Sequence, residues 1–378
     1  MNGRKILFLG EYTGFAGGIE CYAFRTAGLL RARGARVFWC GRSPSRDEAL
    51  FRQGFDGVLT PEQVTEDLFD LAALHKLPSL ENLRRWRRFF GERLVFWAHD
   101  HDLYCPRRHY YTPFGRNNCH RAFSPLRCAL CARISSPRNW HFLRPDPAAL
   151  LGELREHRAV VLSDFMRDNL IRNGFAPGRV LKIPPVLDFP ALPAAAPVPE
   201  GPLKILFLGQ LIRGKGADLL LESLRQLKFP WRAQLAGDGA DRPLLEARAK
   251  AAGLSAQIEF TGWLTDPAGS LQACDVVAFP SRWQEPFGLS GAEGAARAKP
   301  VVAFDAGGVR EWLTDGVNGF LVPERDTAAM AAKLETLYRD PALRLRMGAA
   351  GRKLAEERFS PECFLRGFQK LFEPERLS

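Results

Sequence analysis

Residues 281–320 read SRWQEPFGLSGAEGAARAKPVVAFDAGGVREWLTDGVNGF, and Glu285 and Glu293 stand in this run with seven residues between them around a Phe-Gly-Leu turn. Just upstream lies CDVVAFP, Cys274 to Pro280, an apolar stretch closed by Pro280 and Ser281. A short apolar run bounded by turn residues is the pattern of a strand buried on both faces of a parallel sheet. A helix is expected to follow the turn. Glu285 then falls on the strand-to-helix loop and Glu293 one to two turns into the helix, so both carboxylates can face the crevice at the carboxyl end of the strand. The backbone N–H groups of Phe287, Gly288 and Leu289 fall at or near the helix N-terminus, where anionic phosphate oxygens are favoured. Carboxylates beside such an anion site accept hydrogen bonds from sugar hydroxyls. An E-x7-E spacing alone ordinarily means two solvated carboxylates on an amphipathic helix; the whole surrounding run sets this one apart.

Outward from this run, two segments open alike: RKILFLGEYTGFAGG from Arg4 and LKILFLGQLIRGKG from Leu203, each a short apolar strand ending in a glycine-rich loop. Each is read as the start of a doubly wound α/β domain. Between them FPALPAAAPVPEGP, Phe189 to Pro202, is rich in Pro and Ala and poor in charge, as a linker is. The expected organisation is a first domain over 1–188, a linker over 189–202, a second domain over 203–361, and a terminal helix over 362–378. Strands are expected near Ile6–Leu9, Ala35–Cys40, Leu94–Ala98 and Ala159–Ser163 in the first half. In the second they are expected near Ile205–Leu208, Arg232–Gly237, Gln257–Thr261, Val276–Pro280 and Val301–Phe304, alternating with helical periodicity.

The chain has 378 residues, enough for two substantial cores, and a net charge of +11. Residues 1–190 carry 29 Lys/Arg against 19 Asp/Glu, whereas residues 191–378 carry 24 against 23. The basic excess thus belongs to the first half and points to an anionic partner there. Within it Ser79 to Leu94, SLENLRRWRRFFGERL, combines Arg84, Arg85, Arg87 and Arg88 with Trp86, Phe89 and Phe90, a composition suited to a helix on an anionic membrane surface. A solvated basic face over an aromatic core stripe is the alternative. No apolar run is long enough to span a bilayer, and MNGRKILFLG reads as a first strand rather than a signal segment. The expectation is a cytoplasmic protein, peripheral at the inner face of the membrane. Recognisable nucleic-acid motifs are not evident, and basic charge alone is poor support for that partner.

The run EPFGL followed by a small-residue helix, then KPVV from Lys299, Gly307-Gly308 and GVNGFLV from Gly316, resembles the family-4 retaining glycosyltransferases of the GT-B fold. That resemblance implies two Rossmann-like parallel-sheet domains facing a central cleft, a basic acceptor-side domain, and a nucleotide-sugar donor, UDP- or GDP-linked, bound by the second domain. It implies that Glu285 contacts the donor sugar and Glu293 the ribose. GFAGGIE, Gly14 to Glu20, is similar to the family's first loop, which gives Gly17 and Gly18 a place against the donor diphosphate. The spacing of its glycines does not fit G-x-G-x-x-G, which disfavours a dinucleotide oxidoreductase. GQLIRGKG, Gly209 to Gly216, resembles the family's G-R-L-x-x-x-K-G: Lys215 matches, Gln210 stands where Arg is expected, and Arg213 is the nearest replacement. A neutral amide donates a hydrogen bond but supplies no charge to a leaving group.

His99-Asp100 follows an apolar strand, and by the resemblance His99 faces donor sugar and acceptor; His101 is the competing register, and a structural histidine the plain alternative. The full H-D-x4-C-P pattern, His99 to Pro106, opens a Cys-rich segment over 99–138 and is similar to a bacterial subset of the family. Cys105, Cys119, Cys128 and Cys131, with His109 and His120 nearby, make a candidate structural zinc site, because C-x2-C spacing suits tetrahedral zinc; an iron–sulfur cluster or unmetallated thiols are alternatives. The sole D-x-D, Asp100-His101-Asp102, lies in the first half, so no catalytic metal is assigned. The acceptor expected by resemblance is a glycan or polyprenyl-linked precursor of a surface polysaccharide. A sugar-nucleotide epimerase of the same architecture and a non-catalytic binder of lipid or nucleic acid are the rivals.

Overall fold

The computed structural model describes residues 1–108, 110–112, 114, 117–135, 146–192 and 201–373. The chain divides into two compact units, residues 1–186 joined by the segment from Pro361, and residues 187–360. The first holds a seven-stranded parallel sheet in the order Gly57–Leu59, Arg36–Cys40, Lys5–Leu9, Leu71–Leu74, Leu94–Trp97, Arg158–Val161, Val180–Lys182. The second holds six parallel strands in the order Ile258–Gly262, Trp231–Ala236, Leu203–Leu208, Val276–Phe279, Val301–Phe304, Gly319–Val322. Both sheets are doubly wound. In each, the chain order reverses beside the unit's first strand, and the carboxyl ends of the two strands flanking that reversal form the crevice where such sheets bind ligands.

Burial explains which strands are central. LAAL, LVFW and the two VVAF strands at Val276 and Val301 are buried at every position, as strands covered on both faces must be. Leu71–Leu74 pairs with Lys5–Leu9 from Ile6↔Leu71 to Leu9↔Leu74 and stands mid-sheet, yet the sequence reading passes over it. Four residues, two of them Ala, carry no β-branching and no alternation, so local pattern has nothing to detect.

The helix Leu80–Phe90 starts at Ser79, whose hydroxyl accepts the Asn82 N–H at 3.4 Å, and stops at Gly91 with φ 50°. Leu83, Trp86 and Phe90 are buried in the first unit's core, which corrects the expectation that this helix offers its aromatic face to a membrane. Burial of such side chains stabilises by roughly 2 kcal/mol each, so the core holds them against a lipid surface. Arg84 and Arg87 pair with Glu153, and the Arg85 guanidinium lies 5.0 Å from the Trp86 ring centroid. The helix Pro361–Gln369 lies in the first unit: Phe368 sits 5.9 Å from Trp97, and Arg158 donates to the Leu371 carbonyl at 2.7 Å.

Candidate functional site

In the second unit the reversal falls between Leu203–Leu208 and Val276–Phe279, so the loops after Leu208 and Phe279 meet there. Glycine makes the meeting possible. Gly216 has φ 74°, and a Cβ on it would lie 1.9 Å from the Pro280 carbonyl oxygen. The Gly214 carbonyl accepts the N–H groups of Arg282 at 3.1 Å and Trp283 at 3.2 Å. From the third side Gly307, φ 67°, comes so close that a Cβ would stand 2.4 Å from the Glu285 carbonyl oxygen, and the Gly308 N–H donates to that oxygen at 2.7 Å.

Three loops thus clasp Glu285, which is 5% exposed. Its Oε1 accepts from Ser281 Oγ at 2.5 Å and from Lys215 Nζ at 2.8 Å, and its Oε2 lies 3.0 Å from the same ammonium. The Trp283 ring centroid stands 5.5 Å from Lys215 Nζ, a cation–π contact on a second side of the charge. Lys215 keeps 25% of its side chain exposed, so the cation is held but reachable. Arg282 anchors the adjoining helix Ala217–Leu224 through Asp218 at 2.7 and 2.8 Å. Gln210 and Arg213 are exposed on the Lys215 loop. Ser281 escaped the sequence reading, although its position directly after the strand was a usable signal.

The helix after Glu285 runs Leu289–Ala296 with Gly288 at φ 89° before it. Its small residues let it lie flat: a Cβ on Gly291 would meet the Trp312 ring at 2.2 Å, and one on Gly294 would meet Val277 at 2.7 Å. Phe287 is buried, and its carbonyl accepts from Trp312 Nε1 at 2.6 Å, so its side chain packs while the first-turn N–H groups have no intrahelical acceptor. Glu293 is half-buried on this helix.

In the first unit the reversal falls between Lys5–Leu9 and Leu71–Leu74. His75 and Lys76 leave the latter strand together and grip the loop after Trp97. His75 Nδ1 lies 2.8 Å from His99 Nε2, while Lys76 Nζ donates to Asp100 at 2.6 Å and to Asp102 at 2.7 Å. Burial pushes His99 down to about 3, with the Asp100 charge opposing only in part, so its ring is neutral at neutral pH. Burial disfavours ionisation of Asp100, but the Lys76 ammonium outweighs it and holds that carboxyl below its ordinary value. Burial and the Asp100 charge push Asp102 up. His101 is buried, 2.6 Å from the Tyr104 hydroxyl and stacked on Tyr110 at 4.9 Å, the environment of a packing residue. His75 and Lys76 were not foreseen from the sequence.

The helix Gly18–Ala32 begins after Gly17, whose φ of −175° is extended backbone open to any residue, and a Cβ on Gly18 would meet nothing within 4 Å. Local geometry therefore does not demand glycine at Gly18, nor does the backbone angle at Gly17. It does at Gly14, φ 134°, where a Cβ would lie 2.6 Å from the Ser45 backbone. Glu20, buried in the first turn, is lifted to about 7 by burial against the opposing hydrogen bonds of its own and the Gly17 N–H groups.

The expected zinc site is not assembled: among the described residues no group of three His, Cys, Asp or Glu is placed to hold a metal ion. Cys105 is buried, and burial pushes its thiol up to about 12. Cys119 packs against the hydrophobic core, Cys128 Sγ accepts the Ser124 N–H at 3.4 Å, and Cys131 Sγ lies 3.9 Å from Arg107. His109 lies outside the described residues.

Residues 188–354 match the family model described as Glycosyl transferases group 1. The lipopolysaccharide core biosynthesis glycosyltransferase LpsD of Rhizobium meliloti is 29% identical over 61% of this chain and 62% of its own length. The D-inositol 3-phosphate glycosyltransferase of Xylanimonas cellulosilytica is 38% identical over 42% of this chain and 39% of its own. The chain therefore spans about half the length of these curated relatives. Among solved structures, Anabaena Alr3699/HepE in complex with UDP and glucose aligns with a TM-score of 0.72 and 20% identity, covering 97% of this chain and 99% of that one. The fold is GT-B, built from two Rossmann-like units, and the similarity to glycosyltransferases group 1 falls on residues 188–354. Among the described residues, no helix is long and apolar enough to cross a membrane.

Proposed function

We propose that this chain is a retaining glycosyltransferase that moves a sugar from a UDP- or GDP-linked donor to a glycan or polyprenyl-linked acceptor in surface polysaccharide or glycoconjugate synthesis. The observation that carries this reading is the Lys215–Glu285–Ser281 constellation at the reversal point of the second sheet, inside the group 1 domain. Glu285 accepts hydrogen bonds from sugar hydroxyls, and Glu293 from the ribose. Lys215 and the first-turn N–H groups at Gly288 and Leu289 meet the diphosphate. As the anomeric C–O bond breaks, its electron pair passes to the phosphate oxygen, where this fixed positive charge stabilises it. The acceptor oxygen bonds to the anomeric carbon from the same face, and its proton goes to the departing phosphate. His99 is the further residue that the resemblance offers as a contact for the sugar. HepE was crystallised with UDP and glucose, which favours uridine as the base to try first.

The test is initial-rate transfer from a panel of UDP- and GDP-sugars, with the product anomer read by NMR. One donor turned over with retention, and lost in Glu285→Ala, is expected. Inversion, or full turnover by a folded Glu285→Ala, would sink the reading.

The same reading places the protein in the cytoplasm, peripheral at the inner face of the membrane. The supporting surface is the helix Pro125–Ser135 rather than the one expected. Leu126, Leu130 and Ile134 form a row at helical spacing, exposed by 83%, 60% and 51%, among the exposed Arg121, Arg127 and Arg133. An apolar row flanked by arginines complements an anionic lipid surface. Sedimentation with phosphatidylglycerol vesicles, absent with phosphatidylcholine and weakened by Leu130→Glu, is the expected result; no sedimentation with either overturns this placement.

A further inference from the structure

We infer that His75 is a positioning residue that fixes the tautomer of His99, so that His99 offers its Nδ1–H as a neutral donor to an oxygen of the reacting sugar or diphosphate. The inference rests on the reading above for what His99 faces, but its core is a statement about two rings in this chain. His75 is 1% exposed and enclosed by aromatic neighbours: Phe8 at 4.5 Å, Trp97 at 5.3 Å, Tyr22 at 6.0 Å and Trp39 at 6.5 Å between ring centroids. Its Nδ1 meets His99 Nε2 at 2.8 Å, and its Nε2 is buried with no hydrogen-bond partner.

The proton count decides the rest. Two neutral imidazoles share one hydrogen at the 2.8 Å contact, so either His75 donates from Nδ1 or His99 donates from Nε2. If His99 donated, the remaining proton of His75 would sit on Nε2, an N–H buried among rings with no acceptor. If His75 donates, its Nε2 is a bare lone pair. Orphaned buried N–H groups are rarer than under-satisfied acceptors, so the second arrangement wins. His99 then accepts at Nε2 and carries its own proton on Nδ1. Tyr22, 4.9 Å from the His99 ring, and the Lys76 grip on Asp100 and Asp102 hold the ring and the loop beyond it.

The experiment is an imidazole nitrogen NMR spectrum of the full chain with 15N-labelled histidine at pH 7.5, together with kcat and KM. His99 is assigned by loss of its signals in His99→Gln. In the wild type His99 is expected with a protonated Nδ1 and a bare Nε2; a proton on Nε2 overturns the inference without any variant. His75→Asn keeps an N–H donor near the Nδ1 position and should preserve both the His99 tautomer and kcat. His75→Leu removes the donor and should give mixed tautomers, with kcat down roughly 10- to 100-fold and donor KM little changed. Equal losses in both variants with an unchanged His99 spectrum would mean packing alone, and would overturn it. If the chain transfers no sugar at all, the spectra still decide the tautomer, so failure of the functional reading is told apart from failure of this one.

Discussion

Each unit holds a lysine at the carboxyl edge of its sheet, and the two are held differently. Lys76 is 18% exposed in its side chain and pinned between two carboxylates, Asp100 and Asp102, the latter 3% exposed. Lys215 is 25% exposed and shares its charge with one carboxylate, Glu285, and the face of Trp283. Two carboxylates draw on the Lys76 ammonium, with the Arg108 guanidinium 4.0 Å from Asp102 as a further cation, so Lys76 is committed as a clamp on the loop behind His99. The Lys215 pair is balanced and its cation is partly exposed, so an arriving anion can compete for it. The same residue type, placed on opposite sides of the reversal in the two units, is thus clamped in one and reachable in the other.

The largest effect that would break this contrast belongs to Lys215. Lys215→Ala should lower kcat by about 10³-fold, the range seen when one preorganised donor to a developing oxyanion is removed; steady-state transfer assays check it, and a loss under tenfold would deny Lys215 its role. Next comes Lys76→Met, which leaves the buried Asp102 beside the half-buried Asp100 with Arg108, 4.0 Å from Asp102, as the remaining cation, and should destabilise by about 3 kcal/mol in denaturant melts. A variant as stable as wild type would make Lys76 no strut.

Glu20 offers a smaller, pH-dependent effect. Its carboxyl rises from the ordinary 4.5 to about 7 on folding, so the folded chain keeps a proton that the unfolded chain releases in that window. The resulting stability is present in full below pH 4.5 and lost as pH rises through 7. Glu20→Gln, which mimics the protonated form, should therefore match wild type near pH 4.5 and gain about 3 kcal/mol above pH 7, since each tenfold change in proton affinity is worth about 1.4 kcal/mol. Thermal melts across pH would show the two curves diverging. The smallest effect is a sharpening one: Gln210→Arg adds a second cation to the second unit's site and should raise kcat a few-fold, as a charge-assisted hydrogen bond replaces a neutral one.

The second site was legible because its grammar is local. Gly216, Gly288 and Gly307 stand where backbone meets backbone or turns left-handed, and such positions print themselves in sequence. The first unit's site has no such print. His75 and His99 are 24 residues apart, as are Lys76 and Asp100, and each pair meets only because Leu71–Leu74 and Leu94–Trp97 are neighbours in the sheet. The Leu80–Phe90 helix shows a different limit: periodicity revealed an apolar stripe, but whether Trp86 and Phe90 face lipid or core depends on what lies opposite. Likewise, the Cys128/Cys131 pair has metal-ligand spacing, yet ligation needs thiols converging from separate loops.

By itself the sequence determined two parallel α/β units, the E-x7-E loop, the glycine-rich loop that carries Lys215, and the asymmetry of charge between the halves. These follow from apolar runs, glycine positions and composition, all of which act within a few residues or add up over many. Only the tertiary structure decided that Lys76 is clamped while Lys215 is reachable, that His75 backs His99, and that the exposed apolar row lies on Pro125–Ser135. Those outcomes depend on which strands become neighbours and on how much water is left around a charge, and neither is a property of any short stretch of chain.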